Sequence, residues 1–166
     1  SYRYVFEIPP LLWQPILHGF VLTTRPSRSA HAYAQIWTEE GSPLVAITRR
    51  QAEKLQTALR SDVIVDWAMR YGQPSISDRL AALQAAGCDR ILLAPLYPQY
   101  SSATTATVFD AAAAALAEMR WQPSLRVLPP YYDDPAYIGA LETSVAAGLA
   151  ALPFVPDTII ASFHSL

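Results

Sequence analysis

Residues 91–128 read ILLAPLYPQYSSATTATVFDAAAAALAEMRWQPSLRVL, and this stretch decides the fold. It opens on a wholly apolar run, ILLAPL (91–96), whose composition predicts a strand covered on both faces. A loop dense in hydroxyls and aromatic rings follows, then an alanine-rich helix over 105–119, then a second apolar strand, SLRVL (124–128). Strand, helix and strand in that order form a crossover unit, which requires a parallel sheet. Working outward, a helix over 76–86 precedes the unit and closes at Gly87, the residue that most often ends a helix. Another helix, over 135–151, follows it, with Pro135 in its first turn after Asp133 and Asp134. VIVDWAM (63–69) and DTIIASF (157–163) read as two further strands, and the segment from Leu44 to Leu59 as an amphipathic helix. The expectation is an α/β fold, doubly wound, with a mostly parallel sheet and helices on both faces.

The whole chain, 1–166, reads as one α/β domain with enough apolar residues for a core. Hydrophobic residues are 52% and charged residues 16%, which excludes intrinsic disorder. The net charge of -2 and the absence of basic runs leave no footprint for nucleic acid. A single cysteine, Cys88, excludes an internal disulfide framework and a cysteine-based metal cluster within the chain, and fits a reducing, cytoplasmic compartment. No apolar run approaches the roughly 18 residues of a membrane-spanning helix. The first residues lack the basic start and long apolar stretch of a signal peptide. PPLLWQPILHGFVL (9–22) is apolar almost all round, so it is either a buried helix or an exposed apolar lip. With the helix expected to carry Ala32, Tyr33, Ile36 and Trp37, it makes a helical region over 9–37.

Ligands of parallel sheets bind beyond the carboxyl ends of the strands. Those ends carry Arg70 and Tyr71, the loop from Tyr97 to Thr105, the stretch from Leu128 to Asp134, and His164 with Ser165. A neutral imidazole at position 164 would accept a proton or bind a borderline metal ion. Arg70 beside Tyr71 offers a fork for a carboxylate next to an aromatic plate. The hydroxyls of 101–105 either hold an anion at a helix start or simply cap the turn. Asp133 and Asp134 read as a helix start, and His18 and His31 suggest nothing specific. The glycine patterns that cradle nicotinamide, flavin or nucleoside triphosphates are absent, as are GxSxG and HExxH.

Three segments together resemble the ferrochelatases: IWTEEGSPLVAITRRQAEKLQ (36–56), LLAPLYPQYSSATTATVFDA (92–111) and IIASFHSL (159–166). AMRYGQPSI (68–76) and YYDDPAYI (131–138) agree with them. The resemblance implies insertion of ferrous iron into protoporphyrin IX, the last step of haem synthesis. It makes His164 the expected catalytic residue and metal ligand, and Ser42, Arg70, Tyr71, Tyr100 and Ser101 the expected substrate contacts. Iron enters as substrate and no tightly bound cofactor is expected. Ser102 stands where animal members carry a cluster cysteine, so no [2Fe–2S] centre is expected. The YPQYS form resembles that of the proteobacterial and mitochondrial protoporphyrin enzymes more than that of the coproporphyrin enzymes of Gram-positive bacteria, and nucleic acid is not among the expected partners.

The same resemblance turns 9–22 toward the lip of the active-site mouth, which implies peripheral membrane contact by a cytoplasmic bacterial protein. Family members are roughly twice as long, built as two similar halves around the porphyrin. The chain therefore reads as the N-terminal half, without its first strand and without the second half that supplies an acidic residue opposite His164. Alone, the fragment is expected to be inactive. The rival readings are a related chelatase for cobalt or nickel and a non-catalytic porphyrin-binding module.

Overall fold

The computed structural model describes Pro15 and residues 34–162. The described residues hold four helices and two strands: α1 (Pro43–Ala58), α2 (Ile76–Ala85), β1 (Arg90–Leu93), α3 (Thr105–Ala117), β2 (Ser124–Val127) and α4 (Pro135–Ala150). The two strands pair in parallel, with Arg90 opposite Ser124 and Leu93 opposite Val127, and α3 is the crossover between them. This is the α/β arrangement expected from 91–128. Both strands are shorter than their apolar runs. Leu128 still donates its N–H to the Leu93 carbonyl at 2.9 Å, and Pro95, with no N–H of its own, stands two residues beyond β1.

One cluster supports this unit. Ile76 and Leu80 from α2, Ile91 from β1, and Val108, Ala112 and Ala115 from α3 are buried against one another. Two alanines on the α3 side let α2 approach closely, and Ala112 is completely buried. Gln84 on α2 donates to the Trp121 carbonyl at 2.7 Å, which fastens the far end of α3 to its neighbour. Along β1, Ile91 faces this cluster while Leu92 on the opposite face is 63% exposed.

The helix ends follow their sequence signals. Ser75 starts α2 by accepting from Asp78 N–H at 3.1 Å. At its other end Gly87 N–H bonds to Gln84 O and Cys88 N–H to Leu83 O, the paired bonds of a Schellman motif. Asp134 starts α4, its carboxylate accepting from Ala136 and Tyr137 N–H at 2.9 and 3.3 Å. Asp133–Asp134 is thus a helix start, as the sequence suggests. Helix α1 is tied to the preceding loop by Glu40, which accepts from Arg49 and Arg50 at 3.0–3.2 Å.

Two expected strands do not form a ladder. Residues 63–68 form no strand, no strand among the described residues pairs with them, and the carboxamide of Gln56 bonds to their backbone instead. Its nitrogen donates to Val63 O at 2.9 Å and its oxygen accepts from Val65 N–H at 2.8 Å. Only Met69 bridges onward, to Ser75. Residues 157–162 have no regular structure, Ile160 is 87% exposed, and the sheet among the described residues is the β1–β2 pair alone. The helix expected to carry Ile36 and Trp37 has ended by residue 35, and reciprocal backbone bonds between Thr38 and Gly41 close a turn there. The remainder of the 9–37 region, including the lip at 9–22 apart from Pro15, lies outside the described residues, as does residue 163.

Candidate functional site

Because α2 and α3 run back from one end of the sheet, their first turns lie at the carboxyl edge of the strands. The loops 69–75, 94–104 and 128–134 therefore gather there. Two of them are joined through main-chain atoms: Tyr131 N–H donates to Pro98 O at 3.0 Å. That bond fixes the spacing between the loop after β1 and the loop after β2. Tyr131 also meets Tyr137 edge to face, with ring centres 5.4 Å apart. Burial raises the Tyr131 phenol above its ordinary pKa, and neighbouring Tyr137 adds to the rise.

The loop 97–105 is held from inside by Ser101. Its hydroxyl lies 3.1 and 3.2 Å from the N–H groups of Ala103 and Thr104 and 3.0 Å from the Thr104 hydroxyl. Its carbonyl accepts from Ala106 N–H at 3.2 Å. Ser101 is buried and its hydroxyl closes the turn that leads into α3, whose N-cap is Thr104, while the adjacent Tyr100 stays 56% exposed at the edge. Of the two alternatives read for these hydroxyls, the turn cap describes Ser101. Thr107 continues the arrangement, donating to Thr104 O at 2.8 Å. Thr105 is buried as well, and its hydroxyl has no partner among the described residues.

Arg70 and Tyr71 sit on the loop 69–75. The guanidinium lies over the Tyr71 ring, 4.5 Å from its centre. The Arg70 Nε is buried without a hydrogen-bond partner among the described residues. Ala68, two residues earlier, packs on the core cluster, so this loop issues from the same hydrophobic support as the start of α3. Asp66 lies 3.7 Å from Arg79 on α2 and accepts from Trp67 N–H, which anchors the approach to the loop. Ser42 stands apart: it precedes α1, and its side chain makes no capping bond. Among the described residues no hydrogen bond or ion pair joins Ser42 to Arg70, Tyr71, Tyr100 or Ser101. His164 lies outside the described residues, as do His18 and His31. Among those described, no three His, Cys, Asp or Glu side chains are grouped to hold a metal ion. The features that sequence reasoning missed are the Gln56 clamp and the closure of loop 69–75, although Gly72-Gln73-Pro74 is a recognisable turn signal.

A crossover unit with tyrosines, an arginine and a tethered pair of loops at one sheet edge is an α/β protein whose candidate site lies beyond the carboxyl ends of its strands. The comparisons name it more closely. The ferrochelatase family model matches residues 1–166, and the chain belongs to that family. It is 56% identical to a ferrochelatase of Rhodopseudomonas palustris (strain HaA2) over 98% of its length, which is 48% of that relative. It is 54% identical to the ferrochelatases of Allorhizobium ampelinum and Rhizobium meliloti over 100% of its length, 49% and 50% of theirs. The chain thus spans about half the length of the curated relatives it matches. No solved structure matches it.

Proposed function

We propose that the protein carrying this chain inserts ferrous iron into protoporphyrin IX to give protohaem. The observation that carries the reading is the family match across all 166 residues, with identities of 54–56% to proteins named ferrochelatase. A cobalt or nickel chelatase is not favoured by these relatives.

Insertion exchanges two pyrrole N–H protons for one Fe²⁺ and strips water from the metal. The nitrogens of a flat macrocycle lie in the ring plane, so a cleft that tilts one pyrrole exposes a lone pair to the incoming ion. Contacts remote from the metal supply that distortion. In this reading Tyr71 and Tyr100 press on the ring, Arg70 pairs with a propionate, and Ser101 holds Tyr100 in place from behind. Ser42 joins the substrate contacts through the resemblance of 36–56. His164, from the SFHSL segment, accepts a pyrrole proton or presents the metal from one face. Ser102 leaves no cysteine at that position as a ligand for a [2Fe–2S] centre.

In the full-length protein, His164→Ala is expected to abolish iron insertion while porphyrin fluorescence titration still shows binding. Retained turnover would exclude the catalytic role of His164, and binding without turnover in the wild type would mark a porphyrin-binding module. No described helix is long and apolar enough to cross a membrane. The apolar residues 9–22 carry a peripheral contact in this reading. Cosedimentation with vesicles should fall when Leu11, Leu12 and Trp13 are replaced by serine, and unchanged cosedimentation would remove that contact.

A further inference from the structure

The stacked pair Arg70–Tyr71 has no side-chain anchor among the described residues. The Arg70 Nε is buried and unpartnered, and the tyrosine is 67% exposed. What fixes the pair is main chain. Loop 69–75 is pinched shut at its base, where Met69 N–H donates to Pro74 O at 2.8 Å and Met69 bridges Ser75. Inside the loop the Gln73 carboxamide oxygen accepts from Ser75 N–H at 3.1 Å. The chain reverses at Gly72, whose φ of +87° lies in the left-handed region. A Cβ built on Gly72 meets no atom within 4 Å, so the glycine is required there for its backbone angle and not for space.

We propose that Gly72, braced by Gln73, is a positioning residue: its left-handed turn presents Arg70 and Tyr71 to the ligand as one rigid plate. The inference rests on the reading of those two side chains as substrate contacts. An L side chain at position 72 would push φ back toward negative values and swing Tyr71 relative to the core-anchored Ala68. The arginine, stacked on the ring, would follow it.

The molecule supplies a matched control. Gly87, at the far end of α2, has φ +86° and equally open space around its Cβ. It lies about 15 Å away by helix rise from the start of that helix, at the end opposite the loop. Alanine at either glycine therefore imposes the same backbone strain, and only one of them adjoins the plate.

The test is steady-state metal insertion by the full-length protein, with Fe²⁺ and Zn²⁺ as metals and protoporphyrin IX as the varied substrate. Gly72→Ala is expected to raise the porphyrin KM about five-fold or more with kcat within about two-fold, the pattern of lost binding uniform to ground and transition states. Gly72→Asn, which tolerates the left-handed angle, should restore most of the affinity. Gly87→Ala should lower the melting temperature by a similar amount and leave KM unchanged. An equal KM rise in Gly87→Ala overturns the proposal, because general destabilisation would then explain both. So does an unchanged KM in Gly72→Ala when Arg70→Ala and Tyr71→Ala raise it. Should Gly72→Ala not fold, Gln73→Ala carries the test. It frees the Ser75 N–H and should raise KM, with Gln73→Glu restoring it, and no rise overturns the proposal. If Arg70→Ala and Tyr71→Ala leave KM unchanged in an active enzyme, the plate is no contact and the inference falls while the iron-insertion reading stands. A wild type that neither binds nor metallates porphyrin removes both.

Discussion

Helices α3 and α4 use nearly the same alphabet and end in opposite circumstances. Both are rich in alanine and apolar along most of their length. Yet α3 buries Thr105, Ala106, Thr107, Val108, Ala112 and Ala115, and α4 buries none of its residues. The difference is one of topology. Helix α3 must cross from β1 to β2, which lays it against the sheet and α2, whereas α4 only follows β2. Its order comes from local devices: the Asp134 cap, Pro135 in the first turn and the edge-on contact of Tyr137 with Tyr131. Apolar composition states what a segment would gain by burial. The connections on either side decide whether it is buried.

A matched pair of substitutions gives the largest expected contrast. Ala112→Leu, at a fully buried point between α2 and α3, should cost about 1–3 kcal/mol by overpacking, and Ala140→Leu, exposed on α4, less than about 0.5 kcal/mol. Urea unfolding of the full-length protein measures both. Equal losses would mean that α4 is covered as thoroughly as α3 in the assembled molecule. The caps come next. Ser101→Ala deprives the buried turn of its hydroxyl and should cost about 1–2 kcal/mol, against about 1 kcal/mol or less for Asp134→Ala in its exposed setting. The loop variant should also raise the porphyrin KM, since Tyr100 adjoins it, and Asp134→Ala should not. A smaller effect is expected from Gln56→Ala, about 1 kcal/mol for two exchanged hydrogen bonds. It should appear as faster amide exchange at Val65, and unchanged exchange there would deny the clamp.

The smallest effect is electrostatic and concerns the residue that anchors α4. Burial raises the folded-state pKa of Tyr131 above its ordinary value of 10.0. Its neutral phenol therefore favours the fold, a contribution complete below that value and lost as pH rises through it to the raised folded pKa. Tyr131→Phe should flatten the loss of stability on the alkaline side, followed by phenolate absorbance and melting temperature. An unaltered alkaline limb would mean the ring ionises as freely in the fold as outside it.

The helices were legible because their signals are local. Ser75, Gly87, Asp134 and Pro135 each act within a few residues, and the ends they set agree with those expected to within a residue or two. The strands expected over 63–69 and 157–163 form no ladder among the described residues for the converse reason: β-branched and apolar letters favour extension, but a ladder needs a neighbour that no window of sequence contains. The site divides in the same way. Edge position picked out Arg70, Tyr71 and Tyr100, which do sit on the loops beyond β1 and before α2. It could not tell whether the Ser101 hydroxyl faces a ligand or its own turn, because that depends on where Ala103 and Thr104 point their amides. Ser42 entered through resemblance alone, and the geometry gives it no link to the other candidates.

The tie between Tyr131 and Pro98 uses an amide hydrogen and a carbonyl oxygen, atoms that every ordinary residue possesses. The gap between the two loops is consequently indifferent to which side chains border it. Replacing the rings at 97, 100, 131 or 132 leaves that donor and acceptor in place. Only proline at 131, which deletes the donor, would let the two lips part.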